Sequence, residues 1–393
     1  MHFVPPALRS FVWTAAMNEF DFIKRLREKA QSRRHSPRVI NGIGDDASVI
    51  TQRANRDLIV TTDLLVEGVD FYLEAISARM LGHKALAVSL SDIAAMGARP
   101  LWSLLSIGMP AETWRNKFKG EFYEGYFALA DQYGVTLAGG DISETKEGIV
   151  IDSIVIGETV SGAAVLRSGA RPGDQIFVTG TLGGAAAGLK LIEMGAQVRR
   201  QVAGGRQQEA GDAGQESVPP AVAGGLDHSR NEPGDNRQVS AERSEEDAIQ
   251  TLLLRQLSPS PRVGWGIVLG EERLATAMID ISDGLSSDLA HLCRESNVGA
   301  LLQSASIQSD PDVIKLCGRR ALDPLALALH GGEDFELLFT VASENVARLP
   351  KRVDGVAISF IGEITSDADA INIAEKNRVW RLEPQGFEHF APK

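Results

Sequence analysis

Runs of apolar and β-branched residues set the rhythm of this chain. In the first half they predict strands at about 57–62, 101–108, 134–138 and 149–157, with helices near 78–97 and 112–132. In the second half they predict strands near 175–179, 276–281, 299–303, 335–341 and 358–363, with helices near 183–194, 247–256, 262–270 and 284–296. Both halves mix the two element types, so the expected class is α/β (α+β). The longest apolar stretch, roughly 85–109, is interrupted by Asp92, Arg99 and Pro100, and reads as a buried helix followed by a strand rather than a membrane span.

The rhythm breaks in three places. Between Gln197 and about Glu246 the chain turns to Gly, Gln, Arg, Glu, Asp, Ser and Pro, too little apolar area to offset the entropy of ordering. This predicts a disordered insertion within a domain, because the helical pattern of GGAAAGLKLIEMG before it continues with DAIQTLLLRQL after it. Small and turn-forming residues in VSGAAVLRSGARPGD place a domain boundary near 160–170, dividing 17–165 from 166–393. Residues 1–16 carry two prolines and an arginine within their apolar part, a poor signal-peptide core; a flexible extension is expected there, with translation starting at Met1 or Met17.

Composition narrows the function classes. With 393 residues, 44% of them hydrophobic, the chain can bury two cores. A net charge of -12 argues against a general nucleic-acid surface, and means that any phosphorylated ligand must meet local cations or metal. The two cysteines, Cys293 and Cys317, sit in apolar settings; a reducing compartment, the cytoplasm, is expected.

Acids recur where the hydrophobic pattern ends or should exclude them. AMIDISDGLSSDL (277–289) carries Asp280, Asp283 and Asp288 around a strand-to-helix turn. GIGDDASVI holds Asp45 and Asp46, IVTTDLLVEG ends a β-branched run with Thr61, Thr62 and Asp63, and ALAVSLSDIAAMGARP places Asp92 in an apolar segment. LAGGD ends a strand at Gly139, Gly140 and Asp141, and LHGGEDFELLFTV sets Glu333 and Asp334 behind two glycines. Two carboxylates ~5 Å apart at an effective dielectric of ~20 repel by roughly 3 kcal/mol, which a hard cation converts into binding. Any one of these sites alone is equally a turn or a helix cap. Six of them, with threonine hydroxyls and no histidine or cysteine cluster, suit Mg²⁺ and phosphate rather than zinc. RPGDQIFVTGTLGGAAAGL adds a strand, a Gly-rich turn and a helix whose amides either hold an anion or permit close packing, without the Lys-Ser/Thr ending of a P-loop.

GIGDDA, TTDLLVEGV, GHKALAVSLSDIAAMGARP, GGD, RSGARPGD, VTGTLGGAAAGL, PSPRV, IDISDGLSSDL and GGEDFELLFT occur in this order. Together they resemble the thiamine-monophosphate kinase family, over about residues 17–390 apart from the 197–246 segment. SDIAAMGA and IDISDGL are shared with the wider aminoimidazole-ribonucleotide synthetase and selenophosphate synthetase superfamily. The resemblance implies a two-domain aminoimidazole-ribonucleotide synthetase-like fold, a homodimer joined through the N-terminal sheets, and ATP-dependent phosphorylation of thiamine monophosphate to the diphosphate. It also implies several Mg²⁺ ions held by Asp46, Thr61, Thr62, Asp63, Asp92, Asp141, Asp280 and Asp283. Gly140, Asp141, Arg167 and Ser282 are similar to nucleotide-contacting positions, and Glu333 and Phe387 to positions that contact the thiamine moiety. A phosphate oxygen is already ionised at neutral pH, so direct transfer with no covalent nucleophile or general base is expected.

One position departs: Asp70 stands before Phe71 where the family usually has histidine, near the acceptor phosphate. Two other classes therefore stay in view. A superfamily relative activating a different acceptor would need a reactive cysteine in an N-terminal loop, yet none precedes Cys293. A nucleotide- and Mg²⁺-binding regulator without catalysis has Asp70 as its sole support.

Overall fold

The computed structural model describes residues 25–30, 32–33, 38–41, 49–50, 52–199, 244–320, 322–368 and 370–386. The expected N-terminal extension, both candidate start sites, Asp45, Asp46, Phe387 and the interior of the expected insertion lie outside these residues.

The first half begins with a helix over 25–30 (α1) and a two-stranded ladder of β1 (Val39–Asn41) and β2 (Val49–Ile50). Then follow β3 (Arg56–Val66), α2 (Ala78–Ala95), β4 (Arg99–Met109), α3 (Ala111–Arg115), α4 (Phe118–Tyr133), β5 (Thr136–Glu144) and β6 (Val150–Val160). The last four strands form one sheet in the order β3-β6-β4-β5, parallel only between β4 and β5. The single helix expected over 112–132 is two helices. Asn116 takes extended backbone (ψ −171°), and its side chain accepts the Phe118 N–H at 2.7 Å, starting α4 afresh. β5 also runs past its expected end at Asp141, because its ladder with β4 continues to the Met109–Glu144 pair.

α2 is buried nearly all round. Ser77 caps its start by accepting the Met80 N–H at 3.3 Å. It crosses α4 with backbones almost touching: a Cβ on Gly82 would meet the Phe122 carbonyl oxygen at 1.9 Å. Its other faces pack on the first sheet and on the second half of the chain, so Leu90, Ile93, Trp265, Leu269 and Phe339 belong to one continuous core.

The second half comprises β7 (Gln175–Thr179), α5 (Gly184–Glu193), α6 (Glu245–Leu257), α7 (Val263–Glu271), β8 (Ala277–Asp280), α8 (Leu285–Ser296) and β9 (Gly299–Gln303). It continues through α9 (Pro311–Arg320), α10 (Pro324–His330), β10 (Leu337–Val341), β11 (Arg352–Val353), β12 (Val356–Thr365), β13 (Ile371–Glu375) and β14 (Arg378–Arg381). Its sheet runs β14-β13-β9-β12-β7-β10-β8, with β11 paired to β12. β10 lies antiparallel between β7 and β8, which sets the loop entering β10 beside the turn leaving β8.

The helical pattern on the two sides of the expected insertion does not form one helix. α5 and α6 are separate and pack through Leu191, Leu252 and Leu253. Residues 197–199 and 244–246, assigned to the insertion from composition, belong to this folded pair. The Arg199 N–H donates to Gln250 Oε1 at 2.8 Å, Arg199 pairs with Glu246, and Ser244 forms a capping box with Asp247.

Candidate functional site

Two stripes of α2 collect the acids. On the stripe facing the first sheet, Ser89 donates its hydroxyl to Asp63 Oδ2 at 2.7 Å, and Asp92 accepts from the Thr61 hydroxyl. Strand alternation explains which β3 residues take part. Thr61 and Asp63 face inward, while Thr62 faces outward, where its hydroxyl donates to Asp152 at 2.6 Å. On the stripe facing the second half, Ser91 donates to Asp280 Oδ2 at 2.7 Å, at the end of β8. Helix α2 thereby draws Asp63, Asp92 and Asp280 together from three elements and both halves of the chain.

Their electrostatics are unfavourable as they stand. Burial, then the charges of Asp92 and Asp152, push the Asp63 carboxyl up to about 7. Burial, then Asp92 and Asp63, push Asp280 to about 7, with Ser91 and Arg167 opposing. Asp92 is also raised, by burial, against the Thr61 hydrogen bond and Arg167. Arg167 lies exposed in the segment between β6 and β7 and acts on both Asp92 and Asp280. Serine and threonine hydroxyls satisfy the carboxylate lone pairs without cancelling charge. Among the described residues no three His, Cys, Asp or Glu side chains form a closed metal cage. The donors are nonetheless hard oxygens of the kind that hold Mg²⁺, an ion that keeps several of its own waters and needs only one or two carboxylates.

The turn after β8 and the loop before β10 form the other part of the site. Leu337 pairs with Asp280 in the ladder, the Phe335 N–H donates to the Ile281 carbonyl at 2.9 Å, and the Glu333 N–H to the Ser282 carbonyl at 2.8 Å. Asp288 accepts the N–H groups of Gly284 at 3.0 Å and Asp283 at 3.2 Å, closing the turn; burial, then Asp280 and Asp283, raise its carboxyl to about 8. Glu333 and Phe335 hold left-handed backbone at φ 64° and 50°, a strain that non-glycine residues keep only where surroundings impose it. The Glu333 carboxylate meets Lys84 Nζ at 2.7 Å and accepts from Gln256. The Gly386 N–H donates to Ser287 Oγ at 2.9 Å, so the chain arrives on this same turn one residue before Phe387.

Asp141 stands apart. It is exposed on β5, in register with Ser106, whereas the row through Asp63 continues to Gly140. Three interstrand spacings separate β3 from β5, about 14 Å at ~4.8 Å each. Gly140 has φ 149°, and a Cβ there would meet the Leu105 carbonyl oxygen at 1.9 Å, so glycine alone fits.

Two expectations change. The amides at the α5 N-terminus are taken by the protein's own carboxyl, which burial raises to about 7: Asp334 accepts from Gly183 at 2.6 Å and Ala185 at 3.0 Å. Asp70 Oδ2 accepts the Val66 N–H at 2.8 Å and closes the turn after β3. Sequence reasoning missed Asp152, Ser89, Ser91, Lys84 and Gln256 as partners of the site. A readable trace existed for the serines, which alternate with Val88 and Leu90 in the apolar middle of α2; Asp152 becomes visible once β6 pairs with β3, and Lys84 and Gln256 only once the halves are docked.

The family model described as AIR synthase related protein, N-terminal domain, matches residues 44–159. The thiamine-monophosphate kinase of Salmonella typhimurium is 33% identical over 382 residues, 96% of this chain and 99% of that protein. A crystal structure of thiamine-monophosphate kinase from Stenotrophomonas maltophilia superposes with a TM-score of 0.69 at 33% identity, covering 90% of this chain and 96% of that one. A structure described as AaThiL complexed with AMPPCP and TMP superposes with a TM-score of 0.66 at 28% identity, covering 97% and 100%. With acids converging on α2 and relatives aligned over nearly their whole length, this chain belongs to the thiamine-monophosphate kinase family.

Proposed function

We propose that this protein transfers the γ-phosphate of ATP directly to thiamine monophosphate, giving thiamine diphosphate and ADP, with Mg²⁺ required. The observation that carries this reading is the trio of half-buried Asp63 and Asp92 and buried Asp280, whose charge is answered by hydroxyls and by Arg167 at a distance. Several Mg²⁺ ions would neutralise the phosphates as they approach, held by Asp46, Thr61, Asp63, Asp92, Asp280 and Asp283, with Thr62 contributing from the outer face of β3 and Asp141 from β5. Gly140, Arg167 and Ser282 contact the nucleotide in this reading, the first through a backbone that admits no side chain. Glu333 and Phe387 meet the cationic thiazolium and aminopyrimidine end of the acceptor, which a carboxylate and an aromatic face both favour. An acceptor phosphate oxygen is ionised at neutral pH, so positioning replaces a general base.

Residues 17–165 and 166–393 act as the two domains. The separation of Asp141 from Asp63 within one chain is best met by a homodimer. The outer face of β3 and β6 exposes Leu58, Val60, Leu64 and Val160, at 40%, 63%, 60% and 38%, an apolar surface suited to a second copy. A monomer mass by light scattering would remove that part of the reading. Among the described residues no helix is long and apolar enough to cross a membrane. A cytoplasmic location agrees with the two free cysteines.

Against the regulator alternative, Asp70 Oδ2 accepts the Val66 N–H within its own turn. Incubating the purified protein with ATP, Mg²⁺ and thiamine monophosphate tests the activity. Equal yields of ADP and thiamine diphosphate, abolished by chelation, are expected; nucleotide binding without product would overturn it.

A further inference from the structure

On the premise of the kinase reading above, we propose that Lys84 and Gln256 are positioning residues, fixing the Glu333 carboxylate as the group that selects the acceptor. Both carboxylate oxygens are anchored: Oε1 by Lys84 Nζ at 2.7 Å and Oε2 by the Gln256 amide nitrogen. The anchors are buried while the anchored group is open. The Lys84 side chain is 2% exposed, Gln256 is 4% exposed, and the Glu333 side chain is 31% exposed. A pair serving stability alone gains nothing from this asymmetry, whereas a carboxylate presented to a ligand requires it.

The arrangement also carries costs that stability would not select. Glu333 keeps φ at 64°, and Gln256 Oε1 is buried with no hydrogen-bond partner among the described residues. Rotating the Gln256 amide to relieve that oxygen would turn it against the Glu333 carboxylate, so the strain persists as long as the carboxylate is held.

Placement along α2 supplies the reason for anchoring it there. Lys84 and Ser91 are seven residues apart on one stripe of the helix, about 10 Å at 1.5 Å per residue. Lys84 reaches Glu333 and Ser91 reaches Asp280, both in the second half of the chain. The helix therefore sets the spacing between the group that meets the acceptor's cationic end and the acids that meet its phosphate end. Gln256, from α6, holds the same carboxylate from the other side.

The test is a double-mutant cycle on the full-length protein, with Michaelis constants for thiamine monophosphate and for ATP. The proteins are wild type, Glu333→Gln, Gln256→Leu, Lys84→Met and each pairing with Glu333→Gln. Gln256→Leu and Lys84→Met should each change the acceptor constant by about tenfold on the wild-type background and by less than about twofold on the Glu333→Gln background. The ATP constant should stay within about twofold throughout. Equal effects on both backgrounds, or both substrates' constants moving together, would overturn the proposal while leaving the kinase reading intact. A wild-type protein that makes no thiamine diphosphate overturns both. Should Lys84→Met not fold, the Gln256 arm alone decides the matter.

Discussion

Two groups of acids, one buried and one buried or half-buried, lie within one fold and are treated in opposite ways. Around α5 and α6, Glu336 is met by Arg262 through both oxygens, by Arg255 at 3.7 Å and by the Thr179 hydroxyl at 2.6 Å, while Asp310 pairs with Arg255 at 3.2 Å. Around α2, Asp63, Asp92 and Asp280 receive hydroxyls from Ser89, Thr61 and Ser91. The first group is charge-matched inside the chain; the second is not. An acid in an apolar context therefore says little by itself, and the character of its partners separates a structural carboxylate from one reserved for a ligand.

The largest difference should appear in stability. Glu336→Gln leaves the Arg262 guanidinium, whose side chain is 10% exposed, without its counter-charge, and should destabilise the protein by about 3–5 kcal/mol in denaturant titration. A loss below about 1 kcal/mol would erase the contrast between the two groups. Asp63→Asn should do the reverse: turnover falls by about a hundredfold or more, with the folded state at least as stable as wild type in metal-free buffer. Steady-state kinetics beside thermal melts checks both halves of that expectation.

Proton linkage sharpens the comparison. Asp63 and Asp280 rise from 3.8 to about 7 on folding, so the metal-free folded state holds protons that the unfolded chain has released between those values. Their contribution to stability is fully present below 3.8 and is lost as pH climbs to about 7. Magnesium must displace the same protons. Its affinity should rise by about tenfold for each proton displaced between pH 6 and pH 8, with proton release in calorimetry, and a flat profile would contradict the shared site. The smallest effect concerns Asp70. Asp70→Asn weakens the turn closed at Val66, so stability should drop by about 1 kcal/mol while the acceptor's Michaelis constant stays within about twofold. A tenfold change in that constant would return Asp70 to the substrate site.

Elements whose own residues carry the pattern were legible: β3, α2, β4 and β6 fall close to their expected spans, as do β7, α7, β9 and β10. The hairpin of β13 and β14 was missed although its two-residue turn, Lys376-Asn377, offered an asparagine; the residue in left-handed backbone there is Lys376, at φ 53°. α9 and α10 each begin at an Asp-Pro pair, a start signal that the polar α9 and the short apolar α10 both offered. Within the site, Thr61, Thr62 and Asp63 were readable as a group, but their division between the two faces of β3 follows from strand alternation and separates Thr62 from the other two. Lys84 and Gln256 carried no local sign. Their meaning comes from the docking of α2 and α6 against the loop before β10, a contact between residues up to 249 positions apart as 333 is from 84.

The contrast between the acid groups is tested most directly by the melting temperature of wild type and Asp63→Asn, each without metal and with Mg²⁺ plus a non-hydrolysable ATP analogue. Ligand that binds only the folded state raises it by several degrees at saturation. The expected result is that the variant melts at or above wild type without metal, and that Mg²⁺ with the analogue raises the wild type by several degrees and the variant far less. A variant that melts well below wild type without metal, yet responds equally to Mg²⁺ and the analogue, would mean that Asp63 is a structural acid like Glu336.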